Sequence, residues 1–133
     1  MARRLASVAI LAPDYDSAIA WFCRALGFEL IEDSDLGAGK RWVVVAPDRH
    51  AGARIVIAKA ADSRQLAAVG EAAGGRVAYF LETDDFTRDH EAFTKRGVKF
   101  LEAPRREPYG TVAVFADPFG NKWDLIEPAE RRR

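Results

Sequence analysis

The sequence predicts an α+β protein built from two βαβββ modules, and three observations carry that prediction. First, the chain states one plan twice. Residues 8–28 run from an apolar strand through Asp14-Tyr15-Asp16 into an amphipathic stretch ending at Leu26-Gly27-Phe28; residues 77–100 repeat it through Asp84-Asp85-Phe86 to Gly97-Val98-Lys99-Phe100. Second, each copy then supplies extended runs and a turn of Ala, Pro and Asp, Ala46-Pro47-Asp48 in one and Ala116-Asp117-Pro118 in the other. Third, 133 residues that are 49% hydrophobic suit one compact domain with a real core. A repeat in so short a chain limits the candidate folds. Module one is expected at about residues 5–60, a linker at about 61–75, module two at about 76–128 and a basic tail at 129–133. A four-stranded sheet covered on one face by a single helix leaves its other face open. The two halves are therefore expected to form a curled mixed sheet around a cavity, with the helices on the outer face.

Residues 5–12 form a short continuous apolar run, which predicts a buried strand. Asp16 or Ser17 then caps a helix whose Ile19, Phe22, Cys23 and Leu26 share one face, and Gly27 stands where a C-terminal cap belongs. Residues 28–31 begin the next strand, and residues 33–40, with two glycines, read as a hairpin tip. Residues 41–46 and 54–58 are β-branched strands on either side of the loop 47–52. In the linker, Asp62 or Ser63 caps a short helix through Leu66 and Val69, and Gly74-Gly75 releases the chain. The second copy follows: a strand at 77–81, a helix capped by Thr83 or Asp85 with a stripe of Phe86, His90 and Phe93, and a stop at Gly97. Strands at 100–101, 111–115 and 122–126 complete it, with residues 117–121 as the last turn.

The totals exclude several function classes. Lys plus Arg equals Asp plus Glu, 20 each, so no global field draws nucleic acid or an anionic membrane. The clustered basic residues, Arg3-Arg4 and Arg131-Arg132-Arg133, read as solvated ends without the interleaved aromatics of a strand-binding surface. Cys23 is the single cysteine, so no intrachain disulfide forms and a reducing compartment is the simple reading. No apolar stretch approaches the roughly 20 residues of a membrane span, and Met-Ala-Arg-Arg has no secretory apolar region behind it. A cytoplasmic protein is expected.

Particular stretches resemble the vicinal oxygen chelate superfamily, the glyoxalase, bleomycin-resistance and extradiol-dioxygenase group. They are Val8-Ala9-Ile10 before Pro13-Asp14-Tyr15-Asp16; the helix end Trp21-Phe22-Cys23-Arg24-Ala25-Leu26-Gly27-Phe28; Thr83-Asp84-Asp85-Phe86; and Pro108-Tyr109-Gly110 leading to Phe115-Ala116-Asp117-Pro118-Phe119-Gly120-Asn121-Lys122-Trp123-Asp124-Leu125. The likeness spans nearly the whole chain in order. It implies the fold and a homodimer, and leaves function open among metal-dependent lyases, isomerases, dioxygenases and drug-binding proteins. Members with metal chemistry place ligands, mostly His or Glu, in the first and last strand of each copy. By that pattern the positions here are Ser7, Val56, Ala78 and Asp124. Two of these cannot coordinate, and a neutral serine is a poor ligand, whereas a catalytic zinc needs about three protein donors. The expectation is therefore no metal cofactor; a divalent ion is the alternative.

Asp124 stands out. Strand alternation turns Trp123 and Leu125 to the helix side and Asp124 to the cavity, where an unpaired carboxylate has a raised pKa and can bind a cation or move a proton. An internal pair with Arg54, Arg76 or Lys122 is the plainer alternative. Trp42, Phe80 and Tyr109 are expected as ligand-binding aromatics, with Ser7, Val56 and Ala78 lining the same cavity. His90 reads as structural, His50 as an exposed loop residue, and Cys23 as a small core hydrophobe. The four helix-start carboxylates Asp14, Asp16, Asp84 and Asp85 read as caps. The expected function is metal-free binding of a small organic ligand, aromatic or cationic, with Asp124 as charge partner. The alternatives are a metal-dependent lyase, isomerase or dioxygenase, acid–base chemistry by Asp124 with Tyr109 or His50, and a structural module with a filled cavity.

Overall fold

The structure, a computed structural model, describes residues 2–130. The arginine triplet of the expected basic tail, residues 131–133, lies outside the described residues. The chain divides into two compact units at Val69/Gly70.

The first unit runs β1 (Ser7–Ala12), α1 (Tyr15–Arg24), β2 (Glu29–Gly37), β3 (Lys40–Ala46), β4 (Arg54–Lys59) and α2 (Ser63–Ala68). Its sheet has the order β1-β4-β3-β2, with β1 parallel to β4 and the other pairs antiparallel. β4 alternates between buried and half-buried residues, whereas β3 is buried continuously from Val43 to Ala46. Ile10, Val43, Val45, Ile55 and Ile57 are all nearly inaccessible, in the layer completed by Tyr15, Ala18 and Phe22 of α1. Phe22 is fully buried, which is worth about 2–3 kcal/mol of apolar burial.

The second unit repeats that topology: β5 (Val77–Glu82), α3 (Phe86–Lys95), β6 (Lys99–Phe100), β7 (Arg105–Glu107), β8 (Gly110–Ala116) and β9 (Lys122–Pro128). The order is β5-β9-β8-β6, with β7 also pairing β8. Here the strand equivalent to β2 is broken into β6 and β7. Phe115 and Trp123 stack at 5.8 Å, and Phe93 of α3 meets Phe115 edge-on at 5.9 Å, so the odd-numbered residues of β8 and β9 face the helix.

Several sequence expectations need correction. β1 starts at Ser7, and its Val8 and Ala9 are exposed rather than buried, because β1 is an edge strand with one neighbour, β4. The cap of α1 is Asp14, not Asp16 or Ser17: its carboxylate accepts the Ser17 backbone N–H at 2.8 Å. The helix thus begins earlier, and its buried stripe is Tyr15, Ala18 and Phe22, with Ile19 and Cys23 only half-buried. The expected tip at 33–40 shrinks to Ala38-Gly39, since β2 continues through its charged residues to Gly37. An exposed edge strand carries charge at little cost, which hid it from a hydrophobicity reading. The same holds for Arg105-Arg106-Glu107, which form β7. Asp62 and Asp85 cap α2 and α3 as expected, accepting from Gln65 and Arg88. Gly27 and Gly97 hold the left-handed conformation that ends a helix, with φ of 71° and 88°. No helix among the described residues is long and apolar enough to cross a membrane.

Candidate functional site

The register of the second sheet brings three expected features together. Asp124 pairs across β5–β9 with Phe80 and across β8–β9 with Val114. All three lie on the face opposite α3, together with Ile126, Val112 and Arg105, which pairs with Val112. Phe80 is 67% exposed there, a large apolar side chain standing beside a carboxylate.

The surroundings of Asp124 are polar but committed elsewhere. Arg105 donates to Glu102 at 2.9 Å and to Glu107 at 3.1 Å, and makes a further side-chain bond with Tyr109. The remaining Glu102 oxygen accepts the Val114 backbone N–H at 2.9 Å. These bonds hold the Glu102 carboxyl below its usual range and keep Arg105 protonated. Asp124 receives none of them. Its Oδ1 is sealed from solvent and has no hydrogen-bond partner. Burial pushes its carboxyl pKa up; Arg105 draws it back only partly, and Glu102 adds to the rise. Arg54, Arg76 and Lys122, the alternative partners, are not among the charges that shift it. The charges acting on Asp124 are those of Arg105 and Glu102, brought near by the irregular segment between β6 and β7.

The other expected residues fall in separate places. Trp42, 41% exposed, and Val56 line a groove of about 730 Å³ in the first unit, with Tyr15, Leu36, Lys40 and Lys59 also on its walls. Val56 pairs with Ala9 and Val44 as Asp124 pairs with Phe80 and Val114, so the repeat makes Val56 the equivalent of Asp124. Ser7 pairs with Arg54 at the start of β1. Ala78 is the extra residue of an irregularity between Val77 and Tyr79. Tyr109 is exposed, as its Pro-Tyr-Gly setting suggests, with its side chain drawn to Arg105. His50 is exposed in the loop before β4. His90 lies between Phe86 and Phe100, ring centroids 5.4 and 4.2 Å away, on the α3 side of the sheet.

The donor set does not suit a divalent ion. Val56 and Ala78 offer only alkyl groups, and the Glu102 carboxylate nearest Asp124 is already bonded at both oxygens. Among the described residues no group of three or more His, Cys, Asp or Glu is arranged to hold one. Glu102 and Arg105 were not legible as site residues. They sit in an irregular, charged stretch, and only their (i, i+3) spacing hints at the pair.

Two βαβββ modules of identical strand order, each with one helix against its sheet and the other face left to side chains such as Phe80 and Asp124, define a paired-module α+β protein. The chain belongs to the Glyoxalase/Bleomycin resistance protein/Dioxygenase superfamily, whose family pattern matches residues 4–125. An uncharacterized protein of Shewanella frigidimarina (strain NCIMB 400) is 43% identical over 128 residues, covering 96% of this chain and 95% of that one. Among solved structures, UcmS2 superposes with a TM-score of 0.82 at 29% identity, over 95% of this chain and 98% of that one. TnmS3, an antibiotic binding protein from Streptomyces sp. CB03234, superposes with a TM-score of 0.73 at 28% identity, over 97% and 99% of the two chains.

Proposed function

We propose that this protein binds a small organic molecule, aromatic or cationic, without a metal ion, and that Asp124 is its charge partner. The observation that carries this reading is a carboxylate with one oxygen sealed and undonated, directly paired with an exposed phenylalanine. Asp124 as a whole is only half-buried, so a ligand's donor can reach the accessible part of a carboxylate that the protein leaves short of one. The likeness to TnmS3 supports the binding class. On the second unit Phe80 and Tyr109 supply aromatic surface and Ala78 a small alkyl group; on the first, Trp42 supplies an aromatic ring, with Val56 and Ser7 as smaller contacts. The proposed assembly is a homodimer, checked by light scattering.

The test is a panel of aromatic and cationic compounds followed by melting temperature and calorimetry. A binder raises the melting temperature by mass action. Asp124→Asn is expected to weaken it about tenfold or more, the worth of one charge-assisted hydrogen bond. Unchanged affinity in that variant rejects the role given to Asp124. The raised Asp124 carboxyl also favours a second reading, proton transfer in a metal-free enzyme. Mass spectrometry of the bound compound after incubation separates the two: a changed compound selects the enzyme.

A further inference from the structure

We infer that the ligand of the second module is an arylalkyl ammonium, a primary amine one or two carbons from an aromatic ring, whose N–H groups bond Asp124 while its ring lies against Phe80. This rests on the binding reading above and narrows it to one chemical class. Three features of the sheet face lead there.

The first is spacing. Asp124 and Phe80 are register partners on adjacent parallel strands, so their side chains rise from the same face about 4.8 Å apart. A ligand touching both must place its charge and its ring within one strand spacing of each other. A one- or two-carbon linker does that; a long flexible spacer does not.

The second is charge. The face carries four carboxylates, Glu82, Glu102, Glu107 and Asp124, against three cations, Arg105, Lys122 and Lys99, the last paired with Ala116. Arg105 is shared between Glu102, Glu107 and Tyr109, while Lys122, two residues before Asp124 on β9, and Lys99 are exposed to solvent, which leaves the face negative by one charge. An anionic ligand meets net repulsion, while a cation relieves it.

The third is the kind of donor. Glu102 is bonded at both oxygens, so the carboxylate still lacking a partner is Asp124. A primary ammonium brings three N–H groups as well as the charge, and Asp124, only half-buried, can accept from it. A neighbouring floor of Val114 and Ile126, both half-buried, suits the hydrocarbon linker. Because burial holds the Asp124 carboxyl partly protonated in acid, amine binding also draws off its proton, and affinity should rise from acidic toward neutral pH.

The experiment uses the full chain and calorimetric titration with five probes: benzylammonium, 2-phenylethylammonium, 2-phenylethanol, phenylacetate and n-butylammonium. The two aryl amines should bind at least tenfold more tightly than the neutral alcohol, the anion or the ringless amine. That comparison is made on the unaltered protein, so it does not depend on any variant folding. Asp124→Asn should then abolish the advantage of amine over alcohol, and Phe80→Ala the advantage of aryl over alkyl amine. Equal binding of amine and alcohol, or an amine preference that survives Asp124→Asn, overturns the assignment. If the wider compound panel yields only neutral or anionic binders, the amine class falls and the binding reading stands. If nothing in either set binds, both fall.

Discussion

Two aspartates of the second unit, one in the β8–β9 turn and one in β9, show how environment separates identical side chains. Asp117 is 4% exposed, and its Oδ1 accepts from the backbone N–H groups of Phe119, Gly120 and Asn121, each at 3.0 Å, while Oδ2 accepts from the Trp123 indole at 3.0 Å. It shapes the turn and locks the core tryptophan. Asp117→Ala leaves those donors unmet and should cost about 3 kcal/mol, read as a lowered urea midpoint with an unchanged slope. Asp124 is the opposite case. Its folded pKa lies above its unfolded value, so the folded state holds more protons through that window, and Asp124 lowers stability as pH rises through it. Asp124→Asn should therefore raise the melting temperature at neutral pH, and the gain should fade as pH falls below the ordinary carboxylate range. Glu102, depressed by its bond to Arg105, runs the other way: its stabilisation is present at neutral pH and lost in acid. A melting series from pH 3 to pH 8 for Asp124→Asn and Glu102→Gln should show slopes of opposite sign relative to the unaltered chain. Asp117 was legible as a turn residue and Asp124 as a cavity carboxylate. Their difference was not, because it depends on which donors distant strands bring within reach.

Elements were legible where burial dictates their period and illegible where it does not. The strands of Val43, Val45, Ile55 and Leu125 and the helix-ending glycines follow from local pattern, since a one-residue slip would turn the core out to solvent. The start of α1 was misplaced because three candidate caps lie side by side; the buried Tyr15, whose hydroxyl accepts the Arg41 backbone N–H at 3.1 Å, decides between them. β2 and β7 were missed in part because charged edge strands have no apolar signature. Two glycines illustrate a matching distinction. Gly110, with φ of 151°, packs against the Glu127 backbone, so an added Cβ would run into the Glu127 carbonyl oxygen. Gly97, with φ of 88°, has open space around it. Gly110→Ala should cost about 3 kcal/mol and disturb β8–β9 pairing, whereas Gly97→Ala should cost only the conformational strain, about 1 kcal/mol. Denaturant unfolding of the two variants side by side checks the ranking.

At the scale of the whole molecule, duplication explains both the order and the difference of the modules. Each unit places its first strand parallel to its last, which sets Ala9 beside Val56 in one and Phe80 beside Asp124 in the other. The same frame carries an apolar pair in one copy and an aromatic–carboxylate pair in the second. With alkyl groups at Val56 and Ala78, the proposal of metal-free binding expects no stoichiometric metal after chelator-free purification. It also expects no rise in melting temperature with Zn²⁺, Mn²⁺, Fe²⁺, Ni²⁺ or Mg²⁺; a clear rise with any of them would reject it. The repeat, the module plan, the core positions and the superfamily were all determined by the sequence itself, because periodicity, caps and turn residues act over a few neighbouring positions. The isolation of Asp124 was decided only in the tertiary structure. Glu102 and Arg105 join the β8–β9 face through an irregular segment, and the bond between them leaves Asp124 without a donor, an outcome of competition among groups far apart in the chain.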